Sequence, residues 1–242
     1  DRPHDGADAR EGQGAGLVLH HQHGVAALGL IDRVPDFETV SAKLSAMTGW
    51  TLVAVPGLIP AEPFFDHLAN RRFPVTNWLR SMDELDYIVE PDMFHDFFGH
   101  VPILTQPDFA DFMQRYGEKA LELIPLGGDR MVTRLYWYTA EFGLIREPGQ
   151  DLKVFGAGLM SSFSELQFAA ESGKANRVPM DIETIMRTGY EIDAFQRAYF
   201  VLPSFEALNR QMAESDLAAI VRRYKDEAPL DPAALPARKA AA

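Results

Sequence analysis

The sequence predicts a mostly helical domain with a few short strands. Three observations carry that expectation. Apolar side chains recur at helical intervals in several segments, β-branched apolar runs are few and short, and no internal repeat is visible. With 242 residues, 47% of them hydrophobic and 11% aromatic, a single domain can bury most of its apolar surface.

Residues 1–30 are rich in Gly, Ala and His and show no sustained period, so they are expected to be poorly structured. His20, His21 and His23 fall in this stretch and read as part of a solvated segment rather than a second metal site. The domain proper is expected over residues 31–228. Phe37, Val40, Leu44 and Met47 recur at helical spacing, with Gly49 placed to close the helix. Trp50 to Val55 reads as a strand that Pro56-Gly57 ends. Phe64 to Asn70 and parts of Asp83 to Gly99 read as helical, with Pro63 and Pro91 where proline suits a helix start. Pro74 and Pro102 interrupt the pattern.

Asp108 to Tyr116 places Phe109, Phe112, Met113 and Tyr116 on one face, and Met131 to Ile145 does the same with Leu135, Tyr138 and Phe142. Both are expected to be core helices. Asp181 to Arg187 and Phe205 to Tyr224 read as helices, and Gly189 to Ile192 as a short strand. The Ala- and Pro-rich residues 229–242 are expected to form a loose tail.

Charge and composition exclude several classes of function. A net charge of -12 disfavours nucleic acid and anionic membrane partners, both of which need a basic surface. The absence of cysteine rules out disulfides and thiolate ligands, so any metal must be held by nitrogen and oxygen. No run of about 18 apolar residues appears and no export signal opens the chain, which makes a cytoplasmic protein the expectation.

The most informative run is Glu90-Pro91-Asp92-Met93-Phe94-His95-Asp96-Phe97-Phe98-Gly99-His100-Val101-Pro102. Five steps of about 100° set the two histidines roughly 140° apart on a regular helix, so the helix must depart from regularity before both can face one ion. Gly99 and Pro102 suggest that it finishes near Gly99 and lets His100 swing back. Two imidazoles bonded to backbone carbonyls explain the pair equally well. Glu141 is the best third ligand, because it interrupts an apolar helical face between Trp137 and Phe142, where an unpaired carboxylate is costly. A pairing with Arg134 or Arg146 is its main competitor. Two histidines and a carboxylate suit ferrous iron and leave positions open for small ligands, but zinc accepts the same donors. An oxygenase, a zinc hydrolase and a catalytically silent binding protein all remain open on ligand type alone.

Several runs together resemble the pterin-dependent aromatic amino acid hydroxylases, and among them the bacterial phenylalanine hydroxylases. They are Pro56-Gly57-Leu58-Ile59-Pro60, Arg71-Arg72-Phe73-Pro74-Val75, Glu90-Pro91-Asp92, the His95 to His100 motif, Tyr136 to Leu144 and Gly156-Ala157-Gly158-Leu159. The resemblance runs in order from about Val34 to about Arg210. It implies a single catalytic domain with the hydroxylase fold, in which ferrous iron and tetrahydrobiopterin or a related tetrahydropterin use dioxygen to hydroxylate phenylalanine to tyrosine. Tryptophan or tyrosine as substrate stays open, and a monomer is expected. By the same resemblance His95, His100 and Glu141 are the iron ligands, and Phe64 stacks on the pterin. The backbone of Gly57, Leu58 and Ile59 runs along the pterin's polar edge, with Asp96 and Tyr136 lining the pocket. Arg80 grips the substrate carboxylate and Trp137 walls the ring. Ser161 and Glu165 support His95 or the substrate, and Asp92 is a further candidate for such support. Without the resemblance, Arg80 reads as a surface partner of Asp83 or Glu84, and Trp137 as core.

Overall fold

The computed structural model describes residues 21–30, 36–81 and 90–236. Expectations for residues 1–20, for Asp83 to Ile88 and Val89, and for residues 237–242 lie outside them, as do the proposed partners Asp83 and Glu84. The described chain is helix-rich with a few short strands, as its periodicity predicts.

Helix α1 spans His21–Leu28, in a stretch the sequence left without structure. Burial explains the difference, since Leu28 is buried and the His21 ring packs edge-on against Phe98 while its Nε2 donates to the Phe98 carbonyl. Such long-range contacts leave no local periodicity. Helix α2, Phe37–Thr48, begins with the Asp36 carboxylate accepting from Thr39 N–H at 2.8 Å and ends at Gly49, whose φ of 77° closes the last turn. Strand β1, Thr51–Val55, pairs in parallel with β2, Arg72–Thr76, in register Val53 to Pro74. Proline is tolerated there because each strand of a two-stranded sheet has a free edge.

Helix α3, Ala61–Ala69, connects these strands and starts earlier than expected, with Pro63 inside the first turn where its missing N–H costs nothing. It lies against the 17-residue helix α4, Pro107–Leu123. A Cβ at Gly117 would fall 2.4 Å from Ala69 N, so only glycine permits that close crossing. Helix α5 is Asp129–Tyr136, shorter than the segment expected from Met131 to Ile145, whose last two residues instead pair as strand β3, Leu144–Ile145. A second sheet then forms in the order β4-β3-β6-β5, with β4 at Lys153–Val154, β5 at Arg177–Pro179 and β6 at Tyr199–Leu202. Helices α6, Ala157–Met160, and α7, Phe163–Glu171, run between β4 and β5, and α8, Ile182–Arg187, lies between β5 and β6.

The helix expected over Phe205 to Tyr224 is two helices, α9 at Phe205–Glu214 and α10 at Leu217–Tyr224. Asp216 separates them because its carboxylate caps Ala219 N–H at 2.9 Å. Gly189 to Ile192 do not form a strand. Thr188 instead bridges to Leu230, and Tyr190 stacks on Trp137. The segment after α10 is also tied down, since Asn176 donates to the Pro232 and Leu235 carbonyls at 3.2 Å. Among the described residues, no helix is long and apolar enough to cross a membrane.

The core is aromatic, with Trp50, Phe73, Phe109, Phe112, Tyr116, Tyr138, Phe155 and Phe200 fully buried. Each such side chain contributes about 1.5–3 kcal/mol of transfer free energy. Leu68 is also fully buried, at the crossing of α3 and α4. Leu68→Ala is expected to destabilise the protein by about 2–5 kcal/mol, seen as a lower urea midpoint with an unchanged slope.

Candidate metal centre

Two segments supply the candidate ligands, and both have the same uncommon backbone. In His95–His100 and in Trp137–Glu141 the helix widens into a π turn, with Val101 N–H donating to Asp96 O at 3.0 Å and Phe142 N–H donating to Trp137 O at 2.8 Å. A π turn holds more residues per revolution than an α turn, so residues five apart come closer to one face. His95 and His100 therefore meet without the unwinding near Gly99 that the sequence suggested. The reason lies in burial: Gly99 and Val101 are buried, and an unwound backbone there would leave polar groups without partners.

Asp92 starts this segment. Its carboxylate accepts from His95 N–H at 2.9 Å, and its carbonyl accepts from Asp96 N–H at 3.0 Å. The same carboxylate takes the Arg80 fork, with Nε 3.0 Å and Nη2 2.8 Å away, and the Arg80 backbone N–H at 2.9 Å. Burial opposes ionisation of Asp92, but these donors outweigh it and hold the carboxyl down at about 2. The side chains of Arg80 and Asp92 are 6% and 0% exposed, so this is an interior pair and not a surface salt bridge. One residue past His95, Asp96 accepts from both Thr76 N–H at 2.8 Å and Thr76 Oγ1 at 2.9 Å, which ties the π turn to the end of β2.

His95 Nε2 lies 3.0 Å from His100 Nε2 and 3.6 Å from Glu141 Oε2, and His100 Nε2 lies 3.0 Å from Glu141 Oε1. Donors at about 2.0–2.2 Å from a first-row metal and at right angles to one another stand about 3 Å apart, so this set could hold an ion as three adjacent ligands. Hydrogen bonding favours the ligating form of His95. The Ser161 hydroxyl donates to Ala157 O at 2.9 Å, so its oxygen accepts from His95 Nδ1–H at 3.0 Å. That tautomer leaves the Nε2 lone pair facing the carboxylate, an arrangement that a cation between them relieves. Burial also lowers the His95 pKa, which keeps the imidazole neutral. Burial works to raise the Glu141 pKa, but the two histidines and a Gly158 backbone bond together pull it below the usual value.

Arg134 does not pair with Glu141; it donates to the Met186 carbonyl at 3.2 Å. The ion pairs of Glu141 among the described residues are with His95 and His100. Gly156 fixes the Glu141 main chain from behind, because a Cβ there would sit 2.3 Å from Glu141 O.

One cavity of about 500 Å³ is lined by His95, His100 and Glu141 together with Gly57, Leu58, Ile59, Phe64, Asp96, Tyr136, Arg80, Trp137, Ser161 and Glu165. The residues that the resemblance assigns to metal, pterin and substrate thus reach the same space, whereas Asp92 lies behind it and does not line it. Gly57, Leu58 and Ile59 come from the loop between β1 and α3, and Phe64 from α3 packs edge-on to Tyr136 at 5.5 Å. Trp137 opens the second π turn. Glu165, on α7, accepts from Gln196 N–H at 2.7 Å and Tyr199 OH at 2.9 Å, and burial raises its pKa despite these bonds.

Sequence reasoning missed three residues here. Thr76 ends a strand that Pro74 obscured, and Gln196 sits in a loop without periodicity. Tyr190, assigned to a strand, instead lines the cavity with its ring 4.3 Å from that of Trp137. No local pattern marks them.

Removing the carboxylate, Glu141→Ala, is expected to abolish stoichiometric ferrous iron binding while the circular dichroism spectrum persists, as metal analysis after gel filtration will show. Ser161→Ala leaves the ligands in place but frees the His95 ring. A chelator competition should then find iron affinity lowered about 10–100-fold.

The matched family model is described as "Biopterin-dependent aromatic amino acid hydroxylase" and covers residues 23–226. The chain is 70% identical over 218 residues to a phenylalanine-4-hydroxylase of Mesorhizobium japonicum, an alignment spanning 89% of this chain and 79% of that protein. It is 54% identical over 186 residues to a phenylalanine-4-hydroxylase of Ralstonia nicotianae, spanning 76% of this chain and 59% of that one. Among solved structures, it is similar to the iron- and phenylalanine-bound phenylalanine hydroxylase from Chromobacterium violaceum, with a TM-score of 0.85 and 43% identity over 94% of this chain and 84% of that one. The structure of that protein with bound oxidized Fe(III) gives a TM-score of 0.87 at 45% identity over the same shares. Matched along most of its length in sequence and in fold, and carrying a two-histidine, one-carboxylate centre, the chain belongs to the biopterin-dependent aromatic amino acid hydroxylase family.

Proposed function

We propose that this chain hydroxylates the ring of phenylalanine to give tyrosine, using ferrous iron, a tetrahydropterin and dioxygen. The observation that carries the reading is the convergence of His95, His100 and Glu141 on an aromatic-walled cavity that also holds a buried arginine. Iron bound there, with a reduced pterin beside it, supplies the oxygen-activating chemistry.

The protein's own residues bind and orient. Phe64 offers a ring for the pterin to stack on, and the cavity-lining loop of Gly57, Leu58 and Ile59 offers backbone hydrogen bonds to its polar edge. Asp96 and Tyr136 complete that side. Arg80 takes the carboxylate of the amino acid; its fork is already fixed by Asp92, so little rotamer entropy is lost on binding. The stacked pair of Trp137 and Tyr190 walls the substrate ring on one side, Ser161 keeps His95 in its ligating tautomer, and Glu165 anchors the wall behind Trp137 through Gln196.

Zinc fits the same donors, but the similarity to iron- and phenylalanine-bound relatives favours iron and an aromatic amino acid. A monomer acting in the cytoplasm on free phenylalanine belongs to the same reading.

Protein loaded with ferrous iron and given phenylalanine and a tetrahydropterin is expected to form tyrosine in step with pterin oxidation, whereas zinc-loaded protein forms none. Turnover with zinc and not with iron would reverse the assignment. Arg80→Lys keeps the charge beside Asp92 but loses the fork, and steady-state kinetics should show the phenylalanine KM raised about tenfold or more with kcat changed much less. An unchanged KM would remove Arg80 from the substrate site.

A further inference from the structure

Gln196 is 3% exposed, and every polar group of the residue that the structure pairs faces the cavity wall or its support. Its Oε1 accepts from Trp137 Nε1–H at 2.9 Å, and its Nε2 donates to the carbonyls of Glu191 at 2.7 Å and Ala194 at 3.3 Å. Its backbone N–H donates to Glu165 Oε1 at 2.7 Å, and Tyr199 OH donates to the same oxygen at 2.9 Å. The orientation of the amide is forced. An indole N–H can only donate and a carbonyl can only accept, so the reversed amide would set two donors against each other and an oxygen against two oxygens.

The indole held this way is part of a short aromatic stack. Trp137 lies 4.3 Å from Tyr190 with the rings 19° from parallel, and 4.7 Å from Phe142. Trp137, Tyr190 and Phe142 all line the cavity, and Trp137 is on the π turn that ends in Glu141. Stacking alone leaves the indole some freedom to slide and tilt, and here Gln196, in the segment that precedes β6, engages its N–H. Glutamine is otherwise a poor choice for a site with 3% exposure, because burying an amide costs free energy unless each of its groups is bonded.

We propose that Gln196 is a positioning residue that fixes the plane of the Trp137 indole in its stack on Tyr190, and thereby the aromatic wall that the cavity presents to the ring of the substrate. This rests on the reading of the cavity as an aromatic amino acid site. Gln196 touches neither the metal ligands nor the carboxylate-binding arginine, so its loss acts on ring binding and leaves the metal in place.

The test uses Gln196→Met, which keeps the length and apolar volume of the side chain and removes its hydrogen bonds. With iron-loaded enzyme, the phenylalanine KM is expected to rise about tenfold, the worth of the one lost bond that reaches the Trp137 indole, with kcat and the pterin KM within about twofold and iron content unchanged. In a Trp137→Phe background the same substitution should change KM by less than about twofold, because the indole through which it acts is gone. Equal effects in both backgrounds would overturn the proposal, since they would assign Gln196 to loop stability alone.

The chain has three tryptophans, so nitrogen-15 labelling gives three indole N–H resonances, and Trp137→Phe identifies the one of interest. In the wild-type protein that N–H should exchange slowly with solvent, and it should shift and exchange faster in Gln196→Met. Rapid wild-type exchange overturns the proposal even where Gln196→Met fails to fold. The indole measurement does not depend on turnover. A wild-type enzyme that makes no tyrosine therefore counts against the hydroxylase reading, and a fast-exchanging indole counts against Gln196.

Discussion

A half-buried carboxylate facing two imidazole nitrogens at 3.0 and 3.6 Å is the constraint around which the molecule is arranged. Two imidazoles and a carboxylate brought this close are costly to bury in a low-dielectric interior unless a shared proton or a cation joins them, and burial is offset here by His100 bonding to Glu141. The fold must hold them there by other means before any metal arrives. It does so with two π turns, each fastened to different neighbours: the first by Asp92, Thr76 and the docked helix α1, the second by the close approach of Gly156. Metal binding then draws on a preformed set, and the ordering cost is met by the rest of the core.

The supporting contacts also connect the metal to the organic ligands. Asp92 caps the ligand-bearing segment and grips Arg80 with the same carboxylate, so Arg80, the residue proposed to take the amino acid carboxylate, is tied in position to His95. Ser161 fixes the other nitrogen of His95 from the C-terminal end of α6. Glu165, on the next helix, secures the aromatic wall through a different chain of bonds. The metal-ligand set and the Trp137 wall are thus held by neighbouring but separate networks, so the proposed metal and ring sites can be perturbed one without the other.

Much of this was readable in the sequence because the chemistry is local in type. Glu141 stands out as an acid on an apolar face, and the absence of cysteine limits the donors to nitrogen and oxygen. The helices Phe37–Thr48 and Pro107–Leu123 follow from apolar spacing that a single turn can reveal. What the sequence concealed depends on distant partners. The π turns look like ordinary helix because pattern reading assumes one period. Strands β3 and β4 are two residues each, too short for alternation to register. Helix α1, Tyr190 and Gln196 owe their places to residues far along the chain, and the family resemblance, rather than any pattern, directed attention to Arg80 and Ser161.

The tight seam behind Glu141 bears on how such a pocket can change. No side chain fits at position 156, and the residues next to the ligands are committed to bonds that hold the metal geometry. Variation is freer at the mouth, where Leu58 and Ile192 line the opening and are 71% and 66% exposed. Selection for a different ring or a different pterin therefore has its cheapest route through the rim, while the floor stays as it is.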